Sequence, residues 1–234
     1  MERRRLIVGI TGATGTVYGV RMLQLLRAAG VESHLIVSQA GEMTRAHETA
    51  LSKSELRALA DVAYDINDVG AAPSSGSFKT LGMVVAPCSM GTLAQIALST
   101  AATLLTRAAD VCLKERRRLV QMVRETPLHL THLRHMVAAT EMGAVICPPV
   151  PAFYTRPATL EEMVDNTVGR VLDLFDVESG TVKRWGGLRD PLPADGAMTP
   201  AAAAAPSAAA NAEAAATTAP PALQTPARPR GRRG

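Results

Sequence analysis

Short apolar runs rich in β-branched residues recur along this chain, each followed by a stretch with helical periodicity. That alternation constrains the fold more than any other feature. The runs are Leu6 to Ile10, His34 to Val37, Met83 to Ala86, Leu119 to Val123 and Ala144 to Cys147. The periodic stretches are Val17 to Ala29 (with Val20, Leu23 and Leu26 on one face), Lys53 to Ala60, Thr92 to Leu98, Leu130 to Glu141 and Leu160 to Phe175. Strands alternating with helices imply a parallel sheet covered on both faces, so the expectation is an α/β chain with a flavodoxin-like or Rossmann-like doubly wound sheet in three α/β/α layers. Ligands of such folds bind beyond the carboxyl ends of the strands, so the residues that follow each strand are the first functional candidates.

Composition narrows the function classes. A hydrophobic fraction of 47% over 234 residues supplies a sizeable core. The formal charge of +4 is modest, and its C-terminal stretch carries Arg228, Arg230, Arg232 and Arg233 against Asp195 and Glu213. Little positive charge remains elsewhere to bind nucleic acid, and 3% aromatic residues are too few for a base-stacking surface. Cys88, Cys112 and Cys147 are odd in number and lack metal-ligand spacing, which suits a reducing cytoplasm. The uncharged stretch Thr80 to Thr106 is broken by Gly82, Pro87 and Gly91, so it reads as strand, loop and helix rather than a membrane span. The start, Met1-Glu-Arg-Arg-Arg running into a strand, shows no export signal. From Pro191 the chain becomes Ala-, Pro- and Thr-rich. We expect a folded domain over 1–187 and a disordered tail with a basic end over 188–234.

The strand exits carry the chemistry. After the first run comes Gly9-Ile-Thr-Gly12-Ala-Thr-Gly15-Thr-Val-Tyr-Gly19, which fits either a ligand loop or a plain turn, because the spacing is not G-x-G-x-x-G. The second run ends in Ser38 with no acidic residue for a ribose, which argues against NAD; Ser38 is either a ligand contact or a helix cap. The third runs into Pro87-Cys-Ser-Met-Gly-Thr92, where Ser89 and Thr92 stand at a helix start that suits a phosphate or an ordinary cap. Two such loops on one sheet edge favour a mononucleotide. Arg124-Glu125 leaves the fourth run, where a desolvated ion pair would need a partner or a use. His129, His132 and His135 recur every third residue but lack a further ligand, and read as surface or capping histidines. Arg116 to Arg118 reads as a solvated charge run.

These segments together resemble the UbiX-type flavin prenyltransferases. The motifs are Gly12-Ala-Thr-Gly15 with Tyr18-Gly19, Ser74-Ser-Gly-Ser77, Pro87-Cys-Ser-Met-Gly-Thr92, Arg107-Ala-Ala-Asp-Val with Lys114-Glu-Arg-Arg117, Val123-Arg-Glu-Thr-Pro-Leu-His129, Gly143-Ala-Val-Ile, Phe153-Tyr154 and Arg184-Trp185. They run in order from about Leu6 to Gly187. The resemblance implies transfer of a dimethylallyl group from dimethylallyl monophosphate to N5 and C6 of reduced FMN, without a metal, giving a prenylated flavin for a UbiD-type decarboxylase. It implies that Gly12, Ala13, Thr14, Ser38, Ser89, Met90, Gly91, Thr92 and Arg124 hold FMN. It further implies that Lys114, Tyr154, Arg170 and Arg107 bind the allyl phosphate, that Glu48 and Glu125 handle protons beside the catalytic Lys114, and that Ser74 to Ser77 line the prenyl pocket. A supply of reduced flavin and a homo-oligomer, commonly a dodecamer with sites shared between subunits, belong to the same implication; the apolar segment from Pro148 to Tyr154 would suit such an interface. Thr14 stands where Ser is common and Arg118 where Pro is frequent.

Two rivals share the fold or the flavin. An FMN-dependent cysteine-type decarboxylase would bring an early catalytic His and a different loop, and a non-catalytic flavin carrier would need no cradle of Lys114, Glu125, Tyr154 and Arg170.

Overall fold

The computed structural model describes residues 4–187. β1 (Arg5–Ile10) is buried from Leu6 onward and leads into α1 (Thr16–Ala28), which turns Met22, Leu23, Leu25 and Leu26 inward. Between them Gly15 takes φ +104°, a left-handed conformation that suits glycine. β2 (Glu32–Val37) is followed by α2 (Gln39–Glu48), α3 (Lys53–Ala58) and β3 (Val62–Tyr64). β4 (Gly82–Cys88) is wholly buried, and then come α4 (Met90–Ala97) and α5 (Leu104–Lys114). β5 (Arg118–Val123), α6 (Leu130–Glu141), β6 (Val145–Ile146) and α7 (Leu160–Asp173) complete the order.

Side-chain caps set most helix starts. Ser38, Ser52, Ser89, Thr103, His129 and Thr159 each accept a first-turn amide of the helix that follows. His129 does so through Nδ1, at 3.2 Å from the Thr131 nitrogen and 3.4 Å from that of His132. The capping role read from the sequence is therefore the observed one.

The strands are parallel, in the order β3-β2-β1-β4-β5-β6. The expected doubly wound sheet is present, with β3 added at its edge. One apolar cluster packs α1, α7 and Leu56 of α3 against one sheet face, and a second packs α4, α5 and Ala139 of α6 against the other. Each fully buried Leu, Ile or Met contributes about 1.5–3 kcal/mol through removal from water. The chain reverses direction across the sheet between β1 and β4, so their exits flank the crevice where this architecture binds ligands.

Among the described residues no helix is long and apolar enough to cross a membrane. The tail expected over 188–234 lies outside the described residues.

Candidate active site

A cavity of about 760 Å³ opens at the carboxyl ends of β1, β2, β3 and β4. Its wall includes Gly12, Ser38, Ser89, Gly91 and Thr92, which the sequence had marked on separate loops. Gly12 is held to glycine by packing: a Cβ there would lie 2.4 Å from the Ala40 Cβ. Ser38 is a helix cap, its Oγ accepting the Gly41 amide at 3.0 Å, and it also lines the cavity. Both of its alternative roles are therefore open to the same hydroxyl.

The two glycine-bearing loops differ in the anion they can take. Glu48, at the end of α2, folds over the start of α1. Its Oε2 accepts the amides of Gly15 and Thr16, each at 2.9 Å, and its Oε1 accepts the Thr14 hydroxyl. The positive end of α1 thus already faces a carboxylate. Burial pushes the Glu48 pKa up, but the hydrogen bonds from Thr14, Thr16 and Gly15 outweigh it and hold the carboxyl below its usual range. The start of α4 is different. Ser89 Oγ accepts the Thr92 amide at 3.3 Å and donates to Thr92 Oγ1 at 3.1 Å, while the first amides of the helix, on Met90 and Gly91, have no intrahelical acceptor. Nothing lies within 4 Å of where a Gly91 Cβ would stand. A phosphate with a bulky organic moiety fits this end of the cavity by volume and by donor set. Ala13 is buried within the first loop and the Met90 side chain packs against the second apolar cluster, and neither residue is among those that line the cavity.

Arg124 and Glu125 depart from expectation. Both are exposed, because β5 ends at Val123 and the chain emerges into solvent at once. Glu125 Oε1 accepts the amide of Thr126 at 3.0 Å. Arg124 is tied in by its backbone, whose amide donates to the Cys88 carbonyl at 3.1 Å. Burial raises the Tyr18 pKa while the Arg124 charge lowers it, which places the guanidinium within electrostatic reach of the start of α1.

The residues assigned to the allyl phosphate do not line this cavity. Tyr154 is exposed and meets Trp185 edge-on, with ring centroids 5.7 Å apart. Arg170 donates to Asp173 Oδ2 at 2.7 Å, and Arg184 donates to the same carboxylate at 3.0 and 3.1 Å. Burial raises the Asp173 pKa, but the hydrogen bonds from Arg184 and Arg170 outweigh it and keep the carboxyl low. Arg107 and Lys114 form a third group on α5. Arg107 donates to the Ser74 carbonyl at 3.2 Å and to Asp110 at 2.8 Å, and Lys114 is paired with Glu115. Thr103 and Thr106, at the start of α5, line the cavity, whereas Lys114 is its last residue, about 15 Å along the axis from Leu104. The Ser74–Ser77 loop is strapped to this helix by Arg107, and Arg117, three residues past the end of α5, donates to the Gly76 and Phe78 carbonyls.

Asp173 and Thr11 were not singled out from the sequence, since their roles come from partners distant in the chain. A pairing signal was available for Asp173, three residues after Arg170 on one helix face. Burial raises all three thiols away from the thiolate form: Cys88 far up, Cys112 to about 12, and the half-buried Cys147 upward as well. Among the described residues no group of three or more His, Cys, Asp or Glu side chains is placed to hold a metal ion.

A doubly wound sheet with a capped helix start aimed at a cavity on its switch point defines a mononucleotide-binding α/β protein. Comparison with known proteins narrows the class. The Flavoprotein family model matches residues 1–185. The flavin prenyltransferase UbiX of Neisseria meningitidis serogroup B is 55% identical over 187 residues, covering 80% of this chain and 99% of that protein. A crystal structure of AnUbiX in complex with FMN and dimethylallyl pyrophosphate matches with a TM-score of 0.78 and 52% identity, over 80% of this chain and 99% of the other. The dodecameric FMN-dependent Ubix-like decarboxylase of Escherichia coli O157:H7 matches with a TM-score of 0.76 and 48% identity, over 78% and 100%. The chain belongs to the flavoprotein family, among the UbiX flavin prenyltransferases.

Proposed function

We propose that this enzyme transfers a dimethylallyl group from dimethylallyl monophosphate to N5 and C6 of reduced FMN. The observation that carries the reading is the cavity at the β1/β4 switch point, built from the loops of Gly12, Ser38 and Ser89–Thr92 in a chain that spans nearly the whole of a flavin prenyltransferase. Reduced FMN supplies the electron-rich ring positions that accept the allyl carbon. Ser89, Gly91 and Thr92 hold its phosphate at the start of α4, with the Met90 amide. Gly12, Ala13, Thr14, Ser38 and Arg124 hold the remainder.

Arg107, Lys114, Tyr154 and Arg170 bind the allyl monophosphate and balance charge on the departing phosphate, a smaller load than a diphosphate presents. Arg170 is pre-positioned by Asp173. Lys114 and the cavity of its own subunit lie at different ends of α5, which supports sites completed between copies of the chain, as a dodecamer allows. The exposed apolar residues Val150, Phe153, Tyr154 and Leu160 supply surface for that assembly. Glu48, whose carboxyl is ionised at neutral pH and held low by the start of α1, and Glu125 are the proton-handling groups of this reading. We assign the chemistry to residues 1–187, place the enzyme in the cytoplasm with its free thiols, and name a flavin reductase as supplier and a UbiD-type decarboxylase as recipient of the product.

Anaerobic incubation with reduced FMN and dimethylallyl monophosphate, followed by mass spectrometry of the released flavin, tests the reading. One added five-carbon unit is the expected result; unmodified FMN in the presence of active reductant overturns it.

A further inference from the structure

Thr11 is fully buried one residue beyond β1 and is not itself among the residues that line the cavity. Its hydroxyl donates to the Pro87 carbonyl at 2.8 Å and accepts the Ser89 amide at 2.8 Å. Its own amide donates to the same Pro87 carbonyl at 3.2 Å. These bonds fall where the sheet itself gives out. The β1–β4 register ends at the Gly9–Val85 pair, Pro87 has no N–H to donate, and β4 shifts register against β5 between Val85 and Cys88. Beyond the Gly9–Val85 pair, the backbone bond from the Thr11 amide to the Pro87 carbonyl continues the pairing between the two exits, and no ladder register extends past it. The Thr11 hydroxyl carries the link one step further: it adds a second donor to the Pro87 carbonyl and stands in for a carbonyl toward the Ser89 amide. On either side of this clasp are Gly12 and Ser89, which line the cavity.

We propose that Thr11 is a positioning residue for flavin binding, its hydroxyl locking the α4 start against the Gly12 loop so that the Ser89–Thr92 donors meet the phosphate in place. The proposal rests on the reading of the cavity as an FMN site. It assigns Thr11 no contact with the flavin. Replacing the hydroxyl with a methyl of the same shape leaves the part-buried Ser89 amide without its acceptor, and the α4 start is then free to shift.

The test is FMN affinity of the full chain, followed by quenching of flavin fluorescence, alongside thermal melting. Thr11→Val is expected to fold and to bind FMN about tenfold more weakly, and Thr11→Ser, which keeps the oxygen, is expected to restore wild-type affinity. A T11V protein with wild-type FMN affinity overturns the proposal. So does one that fails to fold, since the clasp would then serve general stability. A wild-type protein that does not bind FMN overturns the site reading as well. A second measurement needs no variant: in the FMN-free protein the Ser89 amide should exchange with deuterium as slowly as the β4 ladder amides, and exchange at the rate of an exposed loop would remove the clasp.

Discussion

Glu48 accepts the backbone amide of Thr16 at 2.9 Å, so the last residue of α2 caps the first turn of α1 across 32 positions of sequence. The carboxyl is held below its ordinary value of 4.5, which means the folded state favours its ionised form. The stabilisation is therefore complete above the ordinary carboxylate range and is lost as pH falls through the lowered folded value. Glu48→Ala should lower stability by about 1 kcal/mol, typical of a lost cap, at neutral pH. The difference between variant and wild type should shrink below pH 4. Denaturant melts at pH 7 and pH 3 check this, and a difference of equal size at both would contradict the assignment.

Ser89 combines a cap with a ligand contact, so Ser89→Ala should show both losses. The melt should fall by the value of a cap, about 1 kcal/mol, and the dissociation constant for FMN should rise about tenfold. Fluorescence titration at a temperature where both proteins are folded separates the two effects. Lower stability with unchanged FMN affinity would leave Ser89 a cap alone.

Arg170 shares the Asp173 carboxylate with Arg184, and its side chain is half exposed. Arg170→Ala should barely move the melting temperature, because exposed ion pairs contribute about 0–1 kcal/mol and Arg184 stays. The KM for dimethylallyl monophosphate should rise about tenfold or more. Unchanged steady-state kinetics would remove Arg170 from the substrate site.

Lys114 at the far end of α5 from the cavity implies complementation between subunits. Lys114→Ala and Arg124→Ala proteins should each be inactive in prenyl transfer. Co-expressed, they should form mixed assemblies that recover activity, since some sites then draw both intact residues from different copies. No recovery in confirmed mixed assemblies would place both residues in a site within one subunit.

β1, β2, β4 and β5 were legible because buried parallel strands read as continuous apolar runs, and the two-residue β6 lay within the apolar run Ala144 to Cys147. β3 was not legible: Val62–Tyr64 is a half-buried three-residue edge, too short for a pattern. α2 was hinted at only by Ser38, because Gln39–Glu48 buries just Gly41 and has no apolar stripe. α5 was missed because it starts at Leu104, inside the uncharged stretch that ends at Thr106, so its beginning merged with the run before it, although Arg107, Asp110 and Lys114 mark its polar side. At the site, glycines and hydroxyls after strands could be found from their position. The exposure of Arg124 and Glu125 could not, since it depends on where β5 stops. Nor could the clasp at Thr11, whose partners are more than seventy residues away.

The central pair of the sheet, β1 with β4, joins residues near the start of the chain to residues 82–88. During synthesis β1 can pair with β2 early, but its other edge stays open until the fourth strand has left the ribosome. The cavity wall is finished later still, with Thr103–Thr106. Flavin therefore has nowhere to dock on a nascent chain shorter than about half its final length, and loading is an event of the late or completed polypeptide.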